Sequence, residues 1–197
     1  MNNNTYSTKI MGIINANDDS FFEDSRFLGD DAIVKITQMI KDGATIIDIG
    51  AVSSRPGSLV VSQEDELKRI KPICDIIKKE KLYDKVSFSI DSYTPCVIEY
   101  ALQSGFSIVN DITGLQNDEV AALTSKYNAT IIIMHMLGTP QDMQNNPTYS
   151  NVIQDVDNFF IKQIVIHKKD EPYGSPFLFT RLSTLRLFSQ SGLYGWH

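Results

Sequence analysis

Polar side chains follow each of five apolar runs in the sequence, at the points where parallel strands would end. They are Asn15, the segment Ser53–Gly57, Asp91, Asn110 with Asp111, and His135. Carboxylate and amide groups hydrogen-bond the edges of polar heterocycles, and an arginine pairs with anions. The set therefore predicts a pocket for a polar, planar ligand, with Arg55 available to an anionic group. Each of these residues, considered on its own, could instead stabilise a turn or cap a helix.

Five positions carry more specific expectations. Asp91 follows five strand residues, so its carboxylate should be enclosed and should need a partner, such as N–H donors on a ligand. Asn110 can donate and accept, which suits the edge of a heterocycle. Asn15 offers a neutral oxygen to Mg²⁺, which takes few protein ligands. Asp48 lies inside its strand and is expected to have a structural or supporting role. His135 is expected either to form a hydrogen bond in the core or to line the wall of the pocket.

Strands and helices alternate in five successive βα units, and these elements must position the polar groups. We predict strands over residues 9–14, 45–50, 86–91, 107–110 and 130–135. The helices are predicted over 30–41, from about 62, and over 95–103, 118–126 and 151–166. Strands rich in Ile and Val, each followed by a helix, indicate a parallel sheet covered by helices. No GxGxxG follows the first strand and no Walker A sequence occurs, so we predict an α/β fold of the (β/α)₈ barrel type.

Composition and charge narrow the class of protein. The chain has 197 residues, of which 42% are hydrophobic and 21% charged, as in ordinary globular proteins. A net charge of −6 argues against nucleic acid or an anionic membrane surface as a partner. The apolar runs are too short to span a bilayer, the N-terminus has no apolar signal region, and two cysteines are too few for a disulfide scaffold. We therefore expect a cytoplasmic protein.

Seven short motifs occur in order and together resemble dihydropteroate synthase. They are Met11–Asn15, Asp19–Phe21, Gly43–Gly50, Ser53–Gly57, Ser89–Asp91, Val109–Gly114, and Met134–Pro140 with Met143–Gln144. Each lies at a strand end or loop of the predicted barrel. The family, a transferase of folate biosynthesis, joins a hydroxymethyl-dihydropterin pyrophosphate to p-aminobenzoate and releases pyrophosphate, with Mg²⁺. The resemblance implies the same substrates and cofactor for this chain.

The resemblance also implies roles for residues at the ends of the predicted strands. Asn15 matches the position that helps to hold the metal and the pyrophosphate. Asp91 and Asn110 match pterin-binding positions, and Met134, in the motif that begins at the end of the fifth strand, is assigned to substrate binding with them.

Loop residues receive the remaining roles from the resemblance. Phe21, Ser54 and Arg55 match residues around the p-aminobenzoate and pyrophosphate sites, with Arg55 assigned a catalytic role. Glu23 matches an acidic loop residue that stabilises the cation developing on the pterin methylene. The chain departs from the common pattern at Asn17–Asp18, Asp24–Ser25 and Val52, which we interpret as subfamily variation.

The resemblance covers only part of the family's length. We divide the chain into an N-terminal extension (1–8), a partial pterin-binding barrel (9–166) and an atypical tail (167–197). The segments that the family carries on strands six and seven, and its final Arg and His, are not found after Ile166. We therefore expect a barrel truncated after the fifth unit, with weak or no turnover, whose free sheet edge a homodimer could cover. A pterin-binding module of the methyltransferase type and a non-functional fragment are the alternatives.

Overall fold

The sheet has five parallel strands whose spatial order equals their order in the chain. A computed structural model describes residues 9–16, 25–52, 61–138 and 148–168. The strands are Met11–Asn15 (β1), Ile46–Gly50 (β2), Ser87–Asp91 (β3), Ile108–Asp111 (β4) and Thr130–Ile133 (β5). Each pairs in parallel with its neighbours in sequence. This order, in which the sheet winds in one direction, confirms the predicted α/β architecture.

Helices connect the strands and cover one side of the sheet. They are Ser25–Lys41 (α1), Gln63–Lys79 (α2), Pro95–Gln103 (α3), Asp118–Lys126 (α4) and Val152–Lys168 (α5), with a short 3₁₀ turn at Leu82–Asp84. The bounds predicted for α3 and α4 are confirmed, whereas α1 begins before and α5 ends after the predicted residues. Helices α1 to α4 pack against one another in chain order. Among these described helices, none is both long and apolar enough to cross a membrane.

Side chains on the helix-covered face of the sheet form the hydrophobic core. The fully buried apolar residues of the strands are Ile47, Ile49, Phe88, Ile90 and Val109. They pack in one cluster with apolar helix residues such as Ile36, Ile73 and Val97. Full burial of one such side chain stabilises the fold by roughly 1.5–3 kcal/mol, so this layer holds the sheet to its helices.

The opposite, inner face of the sheet is polar. Strand side chains alternate between faces, and residues paired in a parallel register point to the same face. Asp48 pairs with Ser89, and Asp91 pairs with Asn110, so all four belong to the inner face. Ile13 on β1 shares this face and is 52% exposed, because no other described element covers it.

Local capping positions helix α2, which in turn fixes the loops at the carboxyl ends of the strands. Ser62 accepts a hydrogen bond from the backbone N–H of Asp65 (3.1 Å), which begins the helix as an N-cap does. One turn further along, Arg69 donates through Nη1 to the carbonyl oxygen of Ala51, just beyond β2 (2.9 Å). The helix therefore holds the first residue of the loop that follows β2.

The turn after β4 uses two left-handed residues. Gly114 has φ +70° and Leu115 has φ +60°. A Cβ at position 114 would lie 2.5 Å from the Phe159 ring and 2.7 Å from the carbonyl oxygen of Met134. Only glycine fits this position, because both the backbone angle and the space are restrictive.

We predict that Gly114→Ala destabilises the protein more than Gly43→Ala. Gly43 also has a positive φ (+97°), but nothing lies within 4 Å of its Cβ position. Gly43→Ala should therefore cost about 1 kcal/mol of unfolding free energy, from the backbone angle alone. Gly114→Ala adds a steric conflict with the backbone, so its cost should exceed that of the control by at least ~1 kcal/mol. Urea unfolding measures both, and equal costs would contradict the packing described here.

Candidate functional site

Asp91 and Asn110 stand side by side on the inner face. They are opposite one another in the register of β3 and β4, and both are half-buried. Gly50 lies on the other side of Asp91, and a Cβ there would be 3.2 Å from Asp91 Oδ2 and 3.3 Å from Asp91 Cβ. The absence of a side chain at position 50 leaves room for the Asp91 carboxyl. Two polar groups predicted to line a pocket are thus brought together.

The Asp91 carboxyl is electrostatically unfavourable in its charged form. Burial and, to a smaller extent, the negative charges of Asp48, Glu66 and Asp111 together raise its pKa to about 7. Burial and like charges both disfavour ionisation of a carboxyl. At neutral pH this group is therefore divided between the acid and the carboxylate, and a partner with N–H donors would favour the carboxylate.

Asp48 lies beneath this pair and contacts Asn110 directly. The Asn110 amide donates through Nδ2 to Asp48 Oδ2 (3.1 Å), across the intervening strand β3. Burial raises the pKa of Asp48, while Ser89 and Asn110 lower it. Within the described residues, neither Asp48 Oδ1 nor Ser89 Oγ has a hydrogen-bond partner of good geometry, and both atoms are buried. The Ser89 hydroxyl is nevertheless close enough to Asp48 to lower the pKa of its carboxyl. Asp48 thus has the supporting position that its place inside the strand predicted.

Glu66 on α2 holds the loop that follows Asp91. Its Oε1 accepts from the Ser92 hydroxyl and its Oε2 accepts from the Thr94 hydroxyl, both at 2.6 Å. The Ser92 oxygen also accepts from the Thr94 N–H (3.0 Å), and the Ser92 N–H donates to the Asn110 carbonyl oxygen (3.3 Å). Sequence reasoning did not single out these residues. The sequence does contain a signal for Glu66, because this acidic residue occupies a core position of α2, one turn before Ile70.

Asp111 faces the helices, and the prediction that groups it with Asn110 at the pocket rim is wrong. Its Oδ1 accepts from the N–H and hydroxyl of Thr113 (2.7 and 2.6 Å), and its Oδ2 accepts from the Leu115 N–H (2.8 Å). The residue is fully buried. Consecutive strand residues point to opposite faces, so Asn110 and Asp111 cannot both line the pocket. Asp111 instead shapes the turn after β4.

His135 packs among aromatic side chains beyond β5. Its ring meets Phe159 edge-on at 4.9 Å between centroids and lies 5.9 Å from Tyr149. Burial lowers the pKa of His135, and the charge of Asp155 raises it. Met134, the residue before it, is half-buried next to the end of β5. The imidazole is thus part of an apolar wall between β5 and α5.

Asn15 ends β1 with an exposed side chain, aligned with Gly50 of β2. Within the described residues no group of three His, Cys, Asp or Glu side chains could hold a metal ion. A single amide oxygen fits Mg²⁺, since this ion keeps several waters and takes the oxygens of substrate phosphates. Four predicted site residues, Phe21, Glu23, Ser54 and Arg55, lie outside the described residues.

A sequence model of the family described as "Pterin binding enzyme" matches residues 11–169. The chain belongs to the pterin-binding enzyme family. The matched segment contains all five strands and the inner-face residues, so the polar cluster lies within the region that the family shares.

Curated relatives and solved structures agree with this membership. A bifunctional dihydropteroate synthase/dihydropteroate reductase from Helicobacter pylori is 40% identical over 161 residues, covering 82% of this chain and 42% of the relative. A dihydropteroate synthase from Haemophilus influenzae is 38% identical over 156 residues, covering 79% and 56%. This chain thus spans about half the length of these relatives.

The structural neighbours establish the barrel type. A Burkholderia cenocepacia dihydropteroate synthase complexed with 7,8-dihydropteroate superimposes with TM-score 0.73 at 31% identity, covering 89% of this chain and 58% of that one. An Anaplasma phagocytophilum dihydropteroate synthase with bound 6-hydroxymethylpterin-monophosphate gives TM-score 0.71 at 28% identity, with coverage of 83% and 61%. The five-stranded sheet is therefore part of a barrel of the dihydropteroate synthase type, as the sequence predicted.

We predict that Asp91→Asn stabilises the ligand-free protein at pH 8. The folded-state pKa of about 7 lies above the ordinary value of 3.8, so the folded state binds more protons than the unfolded state between these values. Stability should therefore fall as the pH rises from about 4 to 7, by up to ~1.4 kcal/mol per pH unit. The full shift corresponds to about 4 kcal/mol at pH 8, and because Asp91 is only half-buried we expect the variant to gain about half of this, ~2 kcal/mol. Urea unfolding at pH 5 and pH 8 measures it.

Asp111→Asn is the matched control, since it makes the same change in a buried carboxylate. This carboxylate accepts three hydrogen bonds, and an amide would turn a donor towards one of them. We expect a loss of roughly 1–3 kcal/mol at both pH values. The same sign of effect in both variants would contradict the environments described for the two residues.

Proposed function

We propose that the chain binds a dihydropterin on its inner face, as a substrate of the dihydropteroate synthase reaction. The reaction condenses 6-hydroxymethyl-7,8-dihydropterin pyrophosphate with p-aminobenzoate to give 7,8-dihydropteroate and pyrophosphate. The observation that carries the proposal is that Asp91 and Asn110, both half-buried, lie side by side on the inner face, where each can accept a hydrogen bond from a ring N–H group. The named relatives and the pterin ligands of the structural neighbours support the same substrate class.

The buried carboxylates also suit the charge that the reaction develops. Departure of pyrophosphate leaves positive charge on the pterin methylene before the amine of p-aminobenzoate attacks. Asp48, Glu66 and Asp111 make the surroundings of Asp91 electronegative, and their charges add to burial in raising the pKa of Asp91. The same field would stabilise a positively charged ring system bound against it. The acidic loop residue Glu23 would add to this effect at the methylene.

The anionic ends of the substrates are assigned to the loops after β1 and β2. Arg55 would pair with the pyrophosphate or the benzoate carboxylate, with Ser54 and Phe21 beside it. Asn15 would supply a neutral oxygen to Mg²⁺. When bound, the ion would offset the negative charge that builds up on the departing pyrophosphate.

Several further properties remain part of the proposal. The named relatives favour the synthase over a methyltransferase-type pterin module. We also propose a homodimer, in which a second copy of the chain covers an edge strand of the sheet. A cytoplasmic location is proposed as well, and the low cysteine content supports it.

Pterin binding tests the proposal directly. We expect the chain to bind 6-hydroxymethylpterin monophosphate at pH 8, with affinity falling as the pH drops below about 7, because protonated Asp91 no longer accepts two N–H bonds. Asp91→Asn should weaken binding at least ~10-fold, since a hydrogen bond to a charged group contributes about 1.5–3 kcal/mol. Isothermal titration calorimetry measures both. The variant is expected to be more stable than the wild type, so a loss of affinity would not reflect unfolding.

Turnover is a separate question. We expect the purified 197-residue chain to form dihydropteroate weakly or not at all. The segments that the resemblance places on strands six and seven are not found after Ile166, and removal of groups that act together costs most of the rate. The measurement is dihydropteroate formation beside a full-length relative, and a comparable rate for the two proteins would refute this expectation.

A further inference from the structure

We propose that Asp48 is a positioning residue that fixes the side-chain amide of Asn110, so that the amide oxygen rather than the nitrogen faces the ligand. The inference rests on the proposed function, because it takes the inner face at Asn110 as the ligand site. It assigns to Asp48 a part in selecting which ligand edge the site accepts.

The contact that carries the inference passes over a whole strand. β2 and β4 are not neighbours, since β3 lies between them. Asn110 nevertheless reaches Asp48 with an Nδ2–Oδ2 distance of 3.1 Å. The residue of β3 opposite Asp48 is Ser89, which is fully buried and whose short side chain leaves the path open. The hydrogen bond therefore depends on the side chains at three positions, 48, 89 and 110.

The chemistry of the two groups allows one orientation. An ionised carboxylate has acceptors only, whereas the asparagine amide carries a donor nitrogen on one side and an acceptor oxygen on the other. With Nδ2 donating to Asp48, the Oδ1 of Asn110 is directed away from that carboxylate. The flipped amide would bring its oxygen against Asp48 and leave a buried charge without its donor, which is unfavourable.

A fixed amide turns Asn110 into an acceptor next to a second acceptor. Asp91 lies opposite Asn110 in the register, so the site presents two acceptor groups at adjacent positions. A ligand edge with two neighbouring N–H donors satisfies both, while an edge that alternates donor and acceptor leaves one group unpaired. Buried unpaired polar groups discriminate strongly between ligands. Asp48, without touching the ligand, would thus set the preference for a donor-rich edge.

The test exchanges the two side chains. Asp48→Asn keeps the shape of the side chain but lets the amide of Asn110 adopt either orientation. Asn110→Asp places two carboxylates against each other. The double exchange, Asp48→Asn with Asn110→Asp, restores a donor at position 48 and an acceptor towards the ligand at position 110. We expect affinity for 6-hydroxymethylpterin monophosphate to fall about 5- to 10-fold in the first variant and further in the second, and to recover in the double exchange.

A ligand-free measurement separates this inference from the proposed function. In ¹⁵N-labelled protein, the bonded side-chain amide proton of Asn110 should exchange slowly with solvent, and Asp48→Asn should accelerate its exchange at least ~10-fold. Ser89→Ala is the matched control, because it removes a buried polar atom beside Asp48 that is not bonded to Asn110. It should leave the signal unchanged.

The outcomes are distinct. Unchanged amide exchange in Asp48→Asn overturns the inference whether or not the protein binds pterin. Faster exchange with unchanged affinity, or a double exchange that fails to recover affinity although it is as stable as the wild type, overturns the role in ligand selection. Failure of the wild type to bind the pterin overturns the proposed function, while the exchange experiment still decides whether Asp48 orients the amide.

Discussion

The parallel register of β2, β3 and β4 decides which side chains can meet. Asp48 lies opposite Ser89, and Asp91 lies opposite Asn110, so the polar residues of three strands occupy one face while their neighbours in sequence fill the core. A shift of one residue in any of these pairings would exchange the two sets of side chains. The core of Ile, Val and Phe side chains therefore fixes the candidate site as well as the fold, because both depend on the same alternation.

The inner face combines stabilising and destabilising interactions. Glu66 is satisfied by two hydroxyl groups and fixes the loop after β3, and Asp48 holds Asn110. Asp91, in contrast, has a raised pKa, because it is removed from water and lies near these carboxylates. In the free protein this arrangement costs stability at neutral pH, and a ligand that donates hydrogen bonds to Asp91 would relieve the cost. Such a balance is typical of binding sites, where groups that recognise a ligand are poorly satisfied without it.

Much of the fold could be predicted from the sequence, because five Ile- and Val-rich runs alternate with helical patterns. β4 ends one residue after its predicted end and β5 ends two residues before its predicted end, because small shifts of a strand end leave the pattern of hydrophobicity almost unchanged. The positions of Asp91 and Asn110 at strand ends could also be predicted. Asn110 and Asp111 point to opposite faces of the sheet, which could be predicted only by extending the alternation of strand side chains to the last residue of β4. The contacts of Asp48 and Glu66 could not be predicted, because they join residues 62 and 26–28 positions apart through packing that no local pattern encodes.

The central claim is that the inner face of the sheet binds a pterin through Asp91 and Asn110. A crystal structure of the chain with 6-hydroxymethylpterin monophosphate tests it most directly. We predict ring N–H groups within about 3.2 Å of the Asp91 carboxylate and of Asn110 Oδ1, with Asn110 Nδ2 still bonded to Asp48. A ligand bound elsewhere, or one that accepts from Asn110 Nδ2 on the inner face, would contradict the account.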